Sequence, residues 1–504
     1  MKRFTLLVLV LAAAAAAQDR IVGMYVHQHW PYNHPYAART WTLDDWKGYA
    51  GGLKQLGFNT VLIWPVLETV PEPLTPSDRA NLDKIGAVIR MLHRDLKMRA
   101  WIVLCPNVAA RNEEAAKATF ERRHFFWSDY RVNPADPAAM AGMMRWREQL
   151  LRPLAEADAV AIIDSDPGGY PGSRNSEFVN LLGEHRKVLD RLRPGIELAY
   201  WMHFGWEAYS RYYLTGKAVR GTDDEHLDAL SRLAKMNPRP WGVANGLAYA
   251  RKLGIESRVV EFNYGRIEAE PSFPMTNFSP ELAHEAGRGF GAPRGAIGNS
   301  QTHCLQLPNT FAFARGATGR PAADADFIAF ANDLVPGQGA LILKVWKTLA
   351  GSDVAAMRAV ALELEKAARR KWEPGPLKGL LFGDPRRFAR DLVMQLRAKA
   401  AYEELRAGIA RKGDARKLLG GFVSAVEPWQ QQHGYSCVWR PTRWHWAGMN
   451  EILAQLHSPA IDTLLNPRYQ HPEGFERVKE NFFLNETHTV RLIQAMKAHA
   501  AEGK

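Results

Sequence analysis

Between Ile21 and about residue 308 the chain repeats one pattern: a short run rich in apolar, β-branched and aromatic residues, then a longer stretch carrying helix signals. The runs are IVGMYV (21–26), NTVLIW (59–64), MRAWIVL (98–104), DAVAIID (158–164), IELAYWM (196–202), WGVAN (241–245), RVVEFNY (258–264) and RGAIGN (294–299). Runs that are apolar nearly throughout belong to strands covered on both faces, and strands alternating with helices build parallel sheets. Eight such units predict a (β/α)8 TIM barrel rather than a doubly wound sheet, and no GxGxxG follows the first run. The sixth run is the weakest, which leaves a seven-stranded or distorted barrel open.

Helix boundaries are legible between the runs. Thr42 with Asp45 three residues later forms a capping-box-like start, and Gly57 stands where that helix should stop. Asn175–Leu192 reads as a helix with Phe178, Leu181, Leu182 and Val188 on one face. After residue 320 the character changes to long amphipathic stretches at 323–334, 337–349, 354–371, 386–409 and 473–499. The expected organisation is therefore a leader (1–17), a catalytic barrel (18–320) and an α-helical C-terminal domain (321–504). The aromatic segment 420–446, with Trp429, Trp439, Trp444 and Trp446, reads as an irregular loop that folds back over something.

The leader opens with Lys2 and Arg3, continues through an apolar stretch over 4–11 and ends in alanines to Ala17. That is the pattern of a secretory signal peptide, so a secreted or periplasmic protein is expected. No later segment offers eighteen uninterrupted apolar residues, so no integral membrane segment is expected. With 46% hydrophobic and 23% charged residues, disordered and collagen-like chains are excluded. Cys105, Cys304 and Cys437 lie far apart without CxxC spacing, which argues against a structural metal site and allows at most one bridge. The formal charge of +12 is spread over helical segments such as 367–371 and 385–390, mixed with acids. It reads as solvated surface, and nucleic acid is not an expected partner.

In a barrel of this type the active site lies at the C-terminal strand ends. There the sequence places His27, His29 and Trp30; Trp64 and Glu68; Cys105 and Asn107; Asp164 and Asp166; His203 and Trp206; Glu261 and Tyr264; and Asn299, Gln301 and His303. Sugars need such a rim, because their C–H faces stack on aromatic rings while their hydroxyls need paired donors and acceptors. Glycosidic hydrolysis needs two carboxyl roles, and Asp164, Asp166 and Glu261 are the catalytic candidates. Asp164 and Asp166, two apart, would share a face on an extended strand end and split their pKa values. The glycines of Pro167-Gly168-Gly169 would permit close approach by a ligand. The plainer alternatives are that an Asp caps the following loop, that Glu261 is polar rim, and that His203 is a buried core imidazole. Trp30 and Trp206, just beyond strand ends, are the stacking candidates; His29, Glu68, Asn107, His203, Tyr264 and His303 complete the substrate-binding set. No cofactor is expected.

The acidic pair on the fourth run, NPADPAAM (133–140) before the next helix, and RGAIGNSQTHCLQLPNTFAFARG (294–316) leading into helices resemble secreted (β/α)8 glycoside hydrolases. The broad likeness is to the β-N-acetylhexosaminidases of family 20 and the α-glucuronidases of family 67, with Asp164-Ser165-Asp166 in place of the family 20 Asp-Glu pair. The resemblance implies a sugar-cleaving enzyme with a carbohydrate substrate. Two other readings compete. His27 and His29 have the spacing with which amidohydrolase-like barrels hold a metal, and His203 could be a third ligand. A non-catalytic carbohydrate-binding protein would keep the aromatic rim without the acids.

Overall fold

Eight parallel strands close on themselves in chain order: β1 (Ile21–His27), β2 (Thr60–Trp64), β3 (Arg99–Leu104), β4 (Ala159–Ile163), β5 (Glu197–Trp201), β6 (Trp241–Ala244), β7 (Val259–Asn263) and β8 (Gly295–Asn299). The computed structural model describes residues 20–502 except 31, 111, 124–129, 166, 216–219, 270–272, 371, 435–445, 447 and 466–487. The leader, Asp166, Cys437, Trp439 and Trp444 therefore lie outside the described residues. Each expected strand is present within two residues of its run, the brief sixth included, and β8 pairs with β1 from Ile21↔Gly295 to Tyr25↔Asn299. The barrel is closed with all eight strands.

The lumen is solid. Tyr25, Trp64, Trp101, Trp201 and Phe262 point inward, and room for their rings comes from Ala159, Ala161, Ala199 and Ala244 on the facing strands. Tyr25 meets Trp201 edge-on at 5.7 Å and Phe262 at 5.5 Å, while Trp201 and Phe262 lie 4.3 Å apart. This aromatic plug confines any ligand to the ends of the barrel. At the N-terminal end a cavity of about 440 Å³ is lined by Arg20, Trp101, Asp158 and the Glu197–Arg294 ion pair.

The helices α1 (Leu43–Gln55), α2 (Pro76–Met91), α3 (Pro137–Leu151), α4 (Asn175–Leu192), α5 (Trp206–Thr215) and α6 (Asp223–Met236) wrap the outside, followed by shorter ones after β6, β7 and β8. Thr42 caps α1 through the expected box with Asp45, and the chain leaves α1 through Gly57 at φ 99°. Beyond residue 320 the described elements are all helical. They share one apolar core with the outer barrel face instead of forming a separate one. Polar ties lock them to the C-terminal end of the barrel: the Tyr36 hydroxyl donates to Asp391 at 2.8 Å and the Thr276 amide to Gln395 at 2.6 Å. No described helix is long and apolar enough to cross a membrane.

The segment expected as an irregular loop from residue 420 instead continues a helix, Ala415–His433, which carries Pro428 inside. Trp429 on it is fully buried and donates to the Pro274 carbonyl at 2.9 Å; Trp446 is likewise buried and donates to the Phe273 carbonyl. Both indoles pin the helical region to the segment after β7, so neither is available as a lid surface.

Candidate active site

Side chains alternate along each strand, so the residues that share the inward face with the plug set which groups reach the mouth. On β1 that face runs through Tyr25 to His27, stacked at 5.3 Å, and His29 follows 4.4 Å from His27. Burial, reinforced by the Arg39 charge, pushes the His27 imidazole down to about 3, so it is neutral. His29 packs edge-on against Trp64 at 4.5 Å, and the Trp30 indole donates to Gln301 at 2.5 Å, joining the loop after β1 to that after β8. Arg39, fully buried, donates to the carbonyls of Gln28 and His29 and to those of Phe120 and Glu121, which ties the β1 loop to the loop after β3.

Glu68 is the acid at the mouth. The chain leaves β2 through Val66 in the left-handed region (φ 55°), and this turn brings the Glu68 carboxyl back onto the strand end. Its Oε1 accepts from the Trp64 indole at 2.8 Å and from the Cys105 thiol at 3.3 Å, while Oε2 has no partner among the described residues. Burial raises its pKa above the ordinary carboxyl range, opposed by its own backbone amide, the Arg147 charge and the two side-chain donors. A buried carboxyl with one oxygen engaged and the other unpaired among the described residues favours its protonated form.

Asp164 is differently placed. It is fully buried, and its oxygens accept from the Ser165 hydroxyl (2.8 Å), the Tyr200 hydroxyl (2.9 Å) and the backbone amides of His203 (3.2 Å) and Gly205 (3.1 Å). With its lone pairs so engaged it anchors the loop after β5, and no oxygen is left for a substrate proton. The neighbouring glycines serve packing, not a ligand: a Cβ on Gly168 would press on the Asp164 carbonyl and Pro106, and one on Gly169 on Tyr209 and Ser210. Asp166, the other expected acid on this strand, lies outside the described residues.

Glu261 does not join the mouth. Val260 and Phe262 on either side of it fill the lumen, whereas Asn263, on its own face, donates outward to the Ala286 carbonyl in the helical layer. Glu261 therefore faces the helices, where burial pushes it up to about 7. Trp206, expected as a stacking surface, is fully buried, stacked on Phe178 at 5.1 Å with its indole donating to Ser173. His303 is turned toward α1, where it meets the Tyr49 hydroxyl at 2.8 Å. Asn107 is buried and donates to the carbonyls of Val132 and Gly169, tying two loops together. His203 is half-buried and Tyr264 is 50% exposed at the rim.

The loop after β7 contains Glu268, which the strand-end reading did not reach because it lies five residues past the strand. It accepts from the amides of Gln301 (2.7 Å) and Thr302 (2.6 Å) and from Gln306 (3.0 Å), and so shapes the loop after β8. Three further polar atoms near the strand ends, Asn107 Oδ1, Trp201 Nε1 and Asn299 Oδ1, are buried without partners among the described residues. Buried polar atoms are normally paired, so these mark positions for ligand or water hydrogen bonds. Among the described residues no three His, Cys, Asp or Glu side chains converge on a metal-sized space. The His27 and His29 rings lie 4.4 Å apart, tilted by 44°, while His203 contacts Ser165, so the alternative three-histidine set is not assembled among the described residues.

No protein-family model matches the chain, and no curated protein matches it. Among solved structures it is similar to a GH138 enzyme targeting the pectin rhamnogalacturonan II, at 8% identity and TM-score 0.47, covering 92% of this chain and 68% of that one. It is also similar to an O-GlcNAc hydrolase mutant of Thermobaculum terrenum, at 8% identity and TM-score 0.40, over 96% and 95% of the two chains. A third is the GH36 α-galactosidase AgaA of Geobacillus stearothermophilus, at 10% identity and TM-score 0.33, over 60% and 42%. Likenesses this distant bear on neither reaction nor substrate.

Proposed function

We propose that this protein is an exported glycoside hydrolase that cleaves a glycosidic bond at the C-terminal mouth of the barrel. The observation that carries the reading is Glu68: a buried carboxyl of raised pKa at a strand end, with one oxygen fixed by an indole and a thiol and the other unpaired among the described residues. Around it stand imidazoles, indoles and amides, the groups that stack on sugar rings and pair with their hydroxyls. Glu68 donates its proton to the leaving glycosidic oxygen. Asp166 carries the ionised carboxyl of the pair, which stabilises positive charge at the anomeric carbon. Trp30, His29 and Tyr264 line the sugar site. Asp164 acts as a positioning residue.

The test is hydrolysis of a panel of aryl glycosides and polysaccharides by the wild type, Glu68→Gln and Asp166→Asn. The expected result is activity on at least one member, reduced in each variant by roughly 10²-fold or more. A wild type inert on the whole panel, or a Glu68→Gln variant with wild-type kcat, overturns the proposal. Export is checked by fractionating expressing cells and sequencing the mature N-terminus, with cleavage near Ala17 expected.

A further inference from the structure

We propose that Glu268 is a positioning residue of this site: its carboxylate fixes the loop after β8 so that Gln301 holds the Trp30 indole in place for the bound sugar. This rests on the glycosidase reading and adds to it the group that sets the shape of the sugar-binding surface.

Glu268 is buried, and donors from the β8 loop surround its carboxylate. Oε2 accepts from the backbone amides of Gln301 at 2.7 Å and Thr302 at 2.6 Å, with the Ser300 hydroxyl at 3.5 Å. Oε1 accepts from the Thr302 hydroxyl and from the Gln306 side-chain amide at 3.0 Å. Gln306 is itself fixed in orientation, because its nitrogen also donates to the Met275 carbonyl at 2.6 Å and its oxygen accepts from the Asn277 amide at 2.9 Å. An ionised carboxylate only accepts, so it matches this ring of donors, whereas a carboxamide would turn N–H groups against them. Burial pushes the carboxyl up to about 7 against the pull of the donors, so at pH 8 it is ionised.

The hold reaches the barrel mouth at two points. Gln301, also buried, accepts from the Trp30 indole at 2.5 Å, so the amide that Glu268 grips belongs to the residue that receives the candidate stacking ring. On the main chain, the Glu268 amide donates to the Asn299 carbonyl at 3.2 Å, and the Asn299 side-chain nitrogen donates to the Glu268 carbonyl at 3.4 Å. A carbonyl oxygen can only accept, so this contact places the nitrogen of the Asn299 carboxamide toward Glu268. Asn299 stands two residues past Ile297, which fills the lumen, and its Oδ1 is buried without a partner among the described residues. That oxygen is then an acceptor for a sugar hydroxyl. Glu268 thus joins groups from the loops after β1 and β8 into one surface while making no ligand contact of its own.

Proton–nitrogen NMR of full-length protein labelled with ¹⁵N-tryptophan, at pH 8, reads the Trp30 indole N–H directly, its signal assigned by loss in Trp30→Phe. Glu268→Gln and Gln301→Ala should both move that signal. In kinetics on an aryl glycoside, each single variant should raise KM by roughly 3–10-fold, the worth of one lost hydrogen bond. The double variant should be no worse than the poorer single one, because both act through the same contact. Thr302→Val removes one donor and keeps the carboxylate, so it should move signal and KM the same way by less; it carries the test if Glu268→Gln does not fold. A merely structural role would lower Tm and leave the Trp30 signal and the KM of the folded enzyme unchanged. An unmoved Trp30 signal or a wild-type KM in Glu268→Gln overturns the proposal, as does a double variant whose KM rises by the product of the two single effects. A wild type that cleaves no glycoside sinks the glycosidase reading instead, while the NMR still decides whether Glu268 positions Trp30.

Discussion

Replacing Asp164 by Ala tests whether this residue anchors the β5 loop. In the native protein it accepts from two hydroxyls and two backbone amides while fully buried. Removing it leaves the Tyr200 hydroxyl and the His203 and Gly205 amides without their acceptor, and each stranded buried donor costs about 1–3 kcal/mol. Ser165 can turn its proton elsewhere, and water entering the space left behind recovers part of the loss. We therefore expect a net destabilisation of about 3–5 kcal/mol. At ~2.1 cal/mol/K per residue, cooperative unfolding of 504 residues carries an entropy of roughly 1 kcal/mol/K, so Tm should fall by about 3–5 °C. Differential scanning calorimetry measures this, with Tyr200→Phe, which strands no donor, expected to cost only about 1 kcal/mol. An Asp164→Ala protein with unchanged Tm would show that the carboxyl does not hold the loop.

Three other expectations can be checked on purified protein. If the proposed role of Glu68 as the proton donor holds, its raised pKa places a limb in the pH profile where kcat falls as pH rises, and Glu68→Gln should abolish it; an unchanged limb would reassign the acid. Glu261, pushed up to about 7 by burial, binds its proton more tightly folded than unfolded, so the wild type should lose stability as pH rises from about 4.5 to 7. Glu261→Gln should remove roughly 1–3 kcal/mol of that loss, seen as a Tm gain at pH 8 and none at pH 4.5. Gly242→Ala on β6 would drive a methyl group into Glu197 and Arg294, so it should destabilise by about 1–3 kcal/mol; a neutral urea midpoint would show the ion pair can shift without cost.

Much of the architecture was legible because local signals agreed. The Thr42–Asp45 box and Asn175–Leu192 appear as read, since caps and a 3.6-residue apolar stripe act within one helix. Residues 420–433, read as part of an irregular aromatic loop over 420–446, are helical; Pro428 and a dense aromatic content look like loop chemistry. Packing of Trp429 against the segment after β7 holds them helical. Glu268 was missed because its partners lie more than thirty residues away in sequence, where no local pattern points.

By itself the sequence determined the alternation of strands and helices, the parallel sense of the strands and the residues at their C-terminal ends. These follow from apolar runs, turn signals and chain direction, while the closed eight-strand ring was decided by the structure. Only the tertiary structure decided which of those residues act together. Barrel strands are buried on both faces and so carry no polar alternation to show which side chains enter the lumen. Closure turned Phe262 inward and Glu261 outward, folded Glu68 back through Val66, and surrounded Asp164 with donors from β5 and its loop. Carboxyls of the same kind at similar strand ends thus differ in burial and hydrogen-bond partners: Glu68 has one oxygen unpaired among the described residues, Asp164 is ringed by donors, and Glu261 faces the helices.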